Sequence, residues 1–201
     1  MLKEAIELSA VLKIENTNWK SYSDTNYLVI TKDHIPELYD ILELQLTHAL
    51  KTLHHSVKYW GDQCIPLSIY TYSYLKCLGL DVELVFGNVY IKKKGSDGFG
   101  CSPASLSEQY KNGVGHGKQD VHAWVAWGRS IIVDYAIGAR LVEHFEFPEK
   151  MKPGIHGPVN KLYEVYGLQY KPMLIGQGFI KETHGLDPKV EYDLVKTTFN
   201  L

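Results

Sequence analysis

Between Asp33 and Val57 the apolar positions Ile35, Leu38, Leu42, Leu46, Ala49, Leu53 and Val57 recur every three or four residues. That is the stripe of a long amphipathic helix, with Asp33 as its N-cap. The pattern breaks at Tyr59-Trp60-Gly61-Asp62-Gln63 and resumes after Ile65-Pro66, where Leu67, Tyr70, Tyr74 and Cys77 share one helical face before Gly79 stops the helix. Cys64 therefore falls at a helix N-terminus. Val82 to Ile91 is rich in Val, Leu, Phe and Tyr and reads as a strand, with Gly87 as a bulge. From Lys92 to Asp120 six glycines and few large apolar residues indicate a long surface loop, open between a lid, a substrate wall and plain irregular chain. Two short alternating runs, 121–127 and 130–136, flank Gly128-Arg129 as a hairpin. Beyond Asp134 the pattern weakens: Pro148, Pro153, Gly154, Gly157 and Pro158 punctuate a loop, Leu162 to Tyr166 reads as a short helix, and Met173 to Ile180 as a strand. Helices followed by antiparallel strands predict an α+β fold, one domain over 1–201 with a helical part (1–80) and a sheet part (81–201).

Composition narrows this little but excludes several classes. The chain has 201 residues, 45% of them hydrophobic and 22% charged, with a net charge of -2, the balance of an ordinary globular protein. A broad nucleic-acid-binding surface is not expected. No apolar run reaches the roughly 18 to 20 residues that cross a bilayer, so no membrane association is expected either. The opening stretch, with Lys3, Glu4 and Glu7 among its apolar residues, reads as an amphipathic helix rather than a secretory signal. Three cysteines make a poor disulfide framework and favour a reducing, cytoplasmic setting.

The hairpin makes a demand about register, because a one-residue slip exchanges the two faces of a strand. Val121, Ala123 and Val125 form one apolar face, and Ile131, Val133 and Tyr135 the other. A two-residue turn at Gly128-Arg129 would set Asp134 opposite Ala123 on the buried face, a costly place for a carboxylate. A three-residue connection, or a bulge next to the turn, gives the register that pairs Val121 with Tyr135 and Ala123 with Val133, which satisfies the core and sets His122 opposite Asp134, within hydrogen-bonding reach.

Cys64, His122 and Asp134 then acquire a chemical reading. A thiol attacks an acyl carbon as thiolate, a form favoured by a helix N-terminus and by a neighbouring imidazolium. A carboxylate fixes the tautomer and orientation of the imidazole, completing a nucleophile, base and orienter. The Cys64 backbone N–H at the helix start is a ready oxyanion donor, and Gln63 and Trp19 are candidates for the second. A lone cysteine is more often a buried small hydrophobe, and Cys77, continuing an apolar stripe, fits that reading; Cys101 sits in the glycine-rich loop without an evident partner.

Gln63-Cys64 at a helix start, then Leu80-Asp81-Val82-Glu83-Leu84-Val85-Phe86-Gly87, His122-Ala123-Trp124-Val125 and Asp134 together resemble the transglutaminase-like superfamily, including its leader-processing cysteine peptidases. The likeness spans Trp60 to Tyr135. It departs in carrying Gly61-Asp62-Gln63 before the cysteine, Ile65-Pro66 after it, and a long loop before His122. The resemblance implies a papain-like core, a cysteine helix packed on an antiparallel sheet that carries the histidine and aspartate, with Cys64, His122 and Asp134 as the triad. It also implies an acyl-cysteine intermediate formed from a peptide, protein or small amide (or thioester), released to water or to an amine.

Other patterns are weaker. His54 and His55 are adjacent and point to different helix faces, and no H-E-x-x-H or C-x-x-C spacing occurs, so neither a metal nor another cofactor is expected. The loop glycines open no phosphate-binding helix, and Lys92-Lys93-Lys94 reads as a solvated strand end. Two non-hydrolytic readings stay beside the enzyme: a binding module that kept the fold, and a thiol redox or metal protein using Cys64 with Cys77 or Cys101. The first of those pairs is about 140° apart around a helix.

Overall fold

The computed structural model describes residues 2–15, 40–114, 119–128 and 130–201. It is an α+β fold built on a six-stranded antiparallel sheet. In chain order come α1 (Lys3–Val11), a π-helical stretch (Asp40–Leu46) that runs straight into α2 (Thr47–Leu53), a 3-10 turn (Trp60–Asp62), α3 (Cys64–Cys77), β1 (Val82–Ile91), β2 (Ser96–Asp97) and α4 (Pro103–Asn112). Then follow β3 (His122–Trp127), β4 (Ile131–Asp134), α5 (Ile137–Phe145), a 3-10 turn (Glu149–Met151), β5 (Ile155–Pro158), α6 (Val159–Tyr166), β6 (Leu168–Ile175), α7 (Gly178–His184) and α8 (Pro188–Phe199). Across the sheet the strands run β6, β1, β3, β4, β5, and the two-residue β2 shares with β3 the edge of β1 that β6 leaves.

β1 is central, paired on both edges, and its run of Val, Leu and Phe fits a strand covered on both faces. Its register with β6 shifts between Phe86 and Gly87, where a Cβ would stand 2.2 Å from Lys171 O; the bulge at Gly87 requires glycine. Gly87 is also the β1 partner of His122, so the bulge lies beside the candidate base.

Each face of the sheet carries its own core. Val82, Leu84 and Phe86 of β1, Ala123, Val125 and Trp127 of β3 and Val133 of β4 pack with the buried residues of α2, α3, α7 and α8. Val85, Val89, Trp124, Ala126, Ile132 and Tyr170 pack on the other side with α1, α5 and α6. α3 lies deep in the first layer, with Leu67, Ser68, Ile69, Thr71, Tyr72, Ser73 and Leu75 all buried. The single apolar face expected for it is too narrow a description, because neighbours enclose it on nearly every side.

Several sequence expectations are corrected. Lys92 to Asp120 is not one long loop: it holds β2 and α4, the latter opened by Pro103 and a reciprocal Ser102–Ser105 cap. The 148–158 region contains β5, an edge strand where Pro158 is tolerated because one side needs no ladder bond. The late strand is Leu168–Ile175, earlier than expected, and residues 178–180 begin α7 instead. Helix 33–57 ends at Leu53, with Leu42, Leu46, Ala49 and Leu50 buried, while Asp33, Ile35 and Leu38 lie outside the described residues. All six strands do follow residue 81, but so do five helices.

The hairpin register differs by two from the one expected. Trp127 pairs with Ile131 across a three-residue connection, and Val125 pairs with Val133. Asp134 therefore stands diagonal to His122 rather than opposite it. A shift of two keeps every side chain on its face, so His122 and Asp134 still share one face, and diagonal neighbours remain in reach of long or aromatic side chains.

Candidate active site

Three elements converge at the N-terminal end of β3. α3 begins at Cys64, whose N–H, as the first of the helix, has no intrahelical acceptor. Its Sγ lies 3.6 Å from the carbonyl of Val121, the residue before His122. His122 opens β3 and is fully buried. Its Nε2–H donates to Asp134 Oδ2 at 2.6 Å, whereas Nδ1 is enclosed and has no hydrogen-bond partner among the described residues. The Cys64 side chain is near enough to the same ring to help raise its pKa. One ring nitrogen is thus fixed by a carboxylate and the other is left for the sulfur.

Asp134 is only 1% exposed, so both faces of the hairpin are buried and the carboxylate does not escape burial as the sequence argument supposed. Hydrogen bonds resolve the cost. Oδ1 accepts from the backbone N–H of Ala136 (3.1 Å) and Ile137 (3.0 Å), and Oδ2 accepts from His122 and from the Tyr170 hydroxyl (2.9 Å). A carboxylate with four donors meets the condition for a stable buried charge. By accepting from Ile137 N it also orients the start of α5.

This surrounding sets the protonation of the imidazole. Burial pulls the His122 pKa down, but the Asp134 charge and hydrogen bond, with the smaller contribution of Cys64, outweigh it and push the value up to about 9. Near neutral pH His122 is an imidazolium. Burial pushes the thiols of both Cys77 and Cys101 up to about 11.

Aromatic residues complete the frame. Phe99 stacks on His122 with ring centres 4.5 Å apart and planes 10° apart, and Trp124 lies 5.8 Å from it. Phe99 is held by the buried Asn88, whose amide donates to Phe99 O (2.5 Å) and accepts from Phe99 N (3.0 Å) and Val89 N (2.9 Å). Replacing Asn88 by alanine leaves those groups unpaired in the interior. Urea unfolding should show a loss of about 2–3 kcal/mol.

A cleft of about 660 Å³ opens over Cys64, with Asp62, Phe99, Asp120, Arg140 and His184 among its walls. Cys64 is half-buried and reachable from it, while His122 sits behind. Of the oxyanion candidates, Gln63 is the α3 N-cap residue, half-buried, without a side-chain capping bond and outside the cleft lining; Trp19 lies outside the described residues. Among the described residues no three His, Cys, Asp or Glu side chains form a metal-ligand group, and no helix is long and apolar enough to cross a membrane. All three cysteines are free thiols.

Tyr170, Phe99, Asn88 and Arg140 went unremarked in the sequence. Leu168 and Tyr170 alternate as a strand should and pack in one core, which marks Tyr170 as inward-facing but not as an Asp134 partner. Comparison with protein-family models, with curated proteins and with solved structures finds no match for this chain.

Proposed function

We propose that this chain is a cysteine-dependent hydrolase or acyltransferase of the papain-like, transglutaminase-like kind, acting on an amide, peptide or thioester through an acyl-Cys64 intermediate. The observation that carries the reading is the placing of the His122 imidazole. Its Nε2 is bound to a buried carboxylate and its Nδ1 is unbonded, while Cys64 stands against the same ring at a helix N-terminus on an open cleft.

In the proposed reaction His122 already holds the proton given up by the Cys64 thiol, and the sulfur attacks the acyl carbon. A carbon–sulfur bond forms, and the bond to the leaving amine or thiol breaks. His122 returns the proton to that leaving group. Water or an amine then adds to the thioester, His122 takes its proton, and the carbon–sulfur bond breaks to return Cys64 and His122 to their starting state. Asp134 keeps the ring oriented and stabilises the imidazolium, with Tyr170 and the two backbone amides holding the carboxylate still. The Cys64 N–H is placed to meet the developing oxyanion. A nucleophile of this kind suits a reducing, cytoplasmic setting.

The test is a generic activated ester. With p-nitrophenyl acetate the protein should release a burst of p-nitrophenol stoichiometric with chain, and mass mapping should find the acetyl group on Cys64. His122→Ala should slow acylation by about 10²-fold or more. Acetylation spread over lysines, or unchanged by Cys64→Ala, would count against the proposal.

A further inference from the structure

We propose that Arg140 is the carboxylate-binding residue of the Cys64 cleft, so that the substrate carries a carboxylate close to the acyl group under attack; this rests on Cys64 being the nucleophile. Arg140 stands on α5, the helix whose start Asp134 fixes, and its side chain is 24% exposed in the wall of the cleft. Its guanidinium lies over the Phe99 ring, Cζ 4.9 Å from the centroid. His122 stacks on the same ring with centres 4.5 Å apart, so the cation and the imidazole share Phe99 as a common neighbour.

A guanidinium has five N–H donors, and one drawn this far out of water ordinarily spends several of them. Arg140 makes no hydrogen bond among the described residues. Nε is enclosed without a partner, and the single ion pair runs from Nη1 to Asp62 Oδ1 at 3.6 Å. That partner is a half-exposed carboxylate two residues before the nucleophile. A substrate carboxylate at this place would find a fixed, under-neutralised fork that favours planar, bidentate anions. Asp62 and Asp120 also face the cleft, with His184. Their charge disfavours a polyanion such as a phosphorylated ligand and leaves room for one carboxylate aimed at Arg140.

Two alkylating agents of nearly one shape test this without a known substrate. Iodoacetate carries a carboxylate beside its reactive carbon, and iodoacetamide carries a neutral amide. At pH 7 the ratio of their rates at Cys64, normalised to the ratio at N-acetylcysteine, should exceed one by about tenfold, and the iodoacetate reaction should saturate. Arg140→Gln should lower the ratio about tenfold, Arg140→Lys should fall between, and Asp62→Asn should raise it. His122 itself is unchanged in each variant, so the comparison among them reads Arg140 and Asp62. N-acetylglycine and the α-amide of N-acetylaspartate, added as protectants, tell a terminal carboxylate from a side-chain one by which of them slows labelling. A normalised ratio at or below one, a ratio indifferent to Arg140→Gln, or protection by neither compound overturns the assignment. If instead iodoacetamide shows no preference for Cys64 over Cys77 and Cys101, the nucleophile reading fails first and this one with it.

Discussion

Replacing Asp134 by alanine should cost about 3–5 kcal/mol of folding stability and bring the His122 pKa down from about 9. The loss is large because one carboxylate answers four donors: His122 Nε2–H, the Tyr170 hydroxyl, and the N–H groups of Ala136 and Ile137, all buried. Removing it leaves each of them unpaired and loosens the start of α5. The same residue predicts a pH dependence. His122 binds its proton more tightly folded (about 9) than unfolded (6.5), so its contribution is complete below about pH 6.5 and is lost as pH rises through 9. That amounts to about 3 kcal/mol between pH 6 and 10 in the native protein. In Asp134→Ala this part of the decline should disappear, and Asp134→Asn, which keeps one acceptor oxygen but not the charge, should fall between. Urea unfolding at the two pH values, with NMR titration of the His122 ring, measures both effects. A His122 pKa that stays near 9 without Asp134 would show that the carboxylate does not set the state of the base.

What could be read from the sequence follows from how local each feature is. The start of α3 at Cys64 was legible because a broken apolar stripe, a proline in the first turn and a glycine stop all lie between Tyr59 and Gly79. The bulge at Gly87 was legible because a lone glycine in an apolar strand has few other reasons to be there. The face shared by His122 and Asp134 was legible from alternation alone, since strand periodicity fixes the parity of a register. The size of the shift belongs to where the turn falls: the connection has three residues, as expected, but it follows Trp127 rather than Ala126, which moves the partner by two without changing a face.

Other features had no local signature. α4 presents only Leu106 as a buried residue, so it shows no stripe, and the glycines around it outweighed the Ser102-Pro103 cap. α5 opens on Ile137 and Leu141, four apart, directly after an aspartate; with Asp134 read only as a base partner, its second role as the acceptor for that helix start went unseen. Tyr170, Phe99 and Arg140 reach the site from three remote elements, and only tertiary packing relates them to His122. The burial of Asp134 was misjudged in part for this reason: the Tyr170 hydroxyl comes from β6, which is not adjacent to β4 in the sheet, whereas the two amide donors lie only two and three residues further along the chain.

The central claim is that Cys64 is an activated nucleophile because His122, held by Asp134, stands against it. The most direct measurement is iodoacetamide labelling of the native protein at pH 6, followed by mass mapping of the three cysteines. Cys77 and Cys101 have pKa values raised to about 11, so almost none of either is thiolate there. Cys64, facing an imidazolium, should react at least about 10²-fold faster than both, and His122→Ala should remove most of that advantage. Labelling of Cys64 no faster than Cys77 and Cys101, or a preference that survives His122→Ala, would contradict the account.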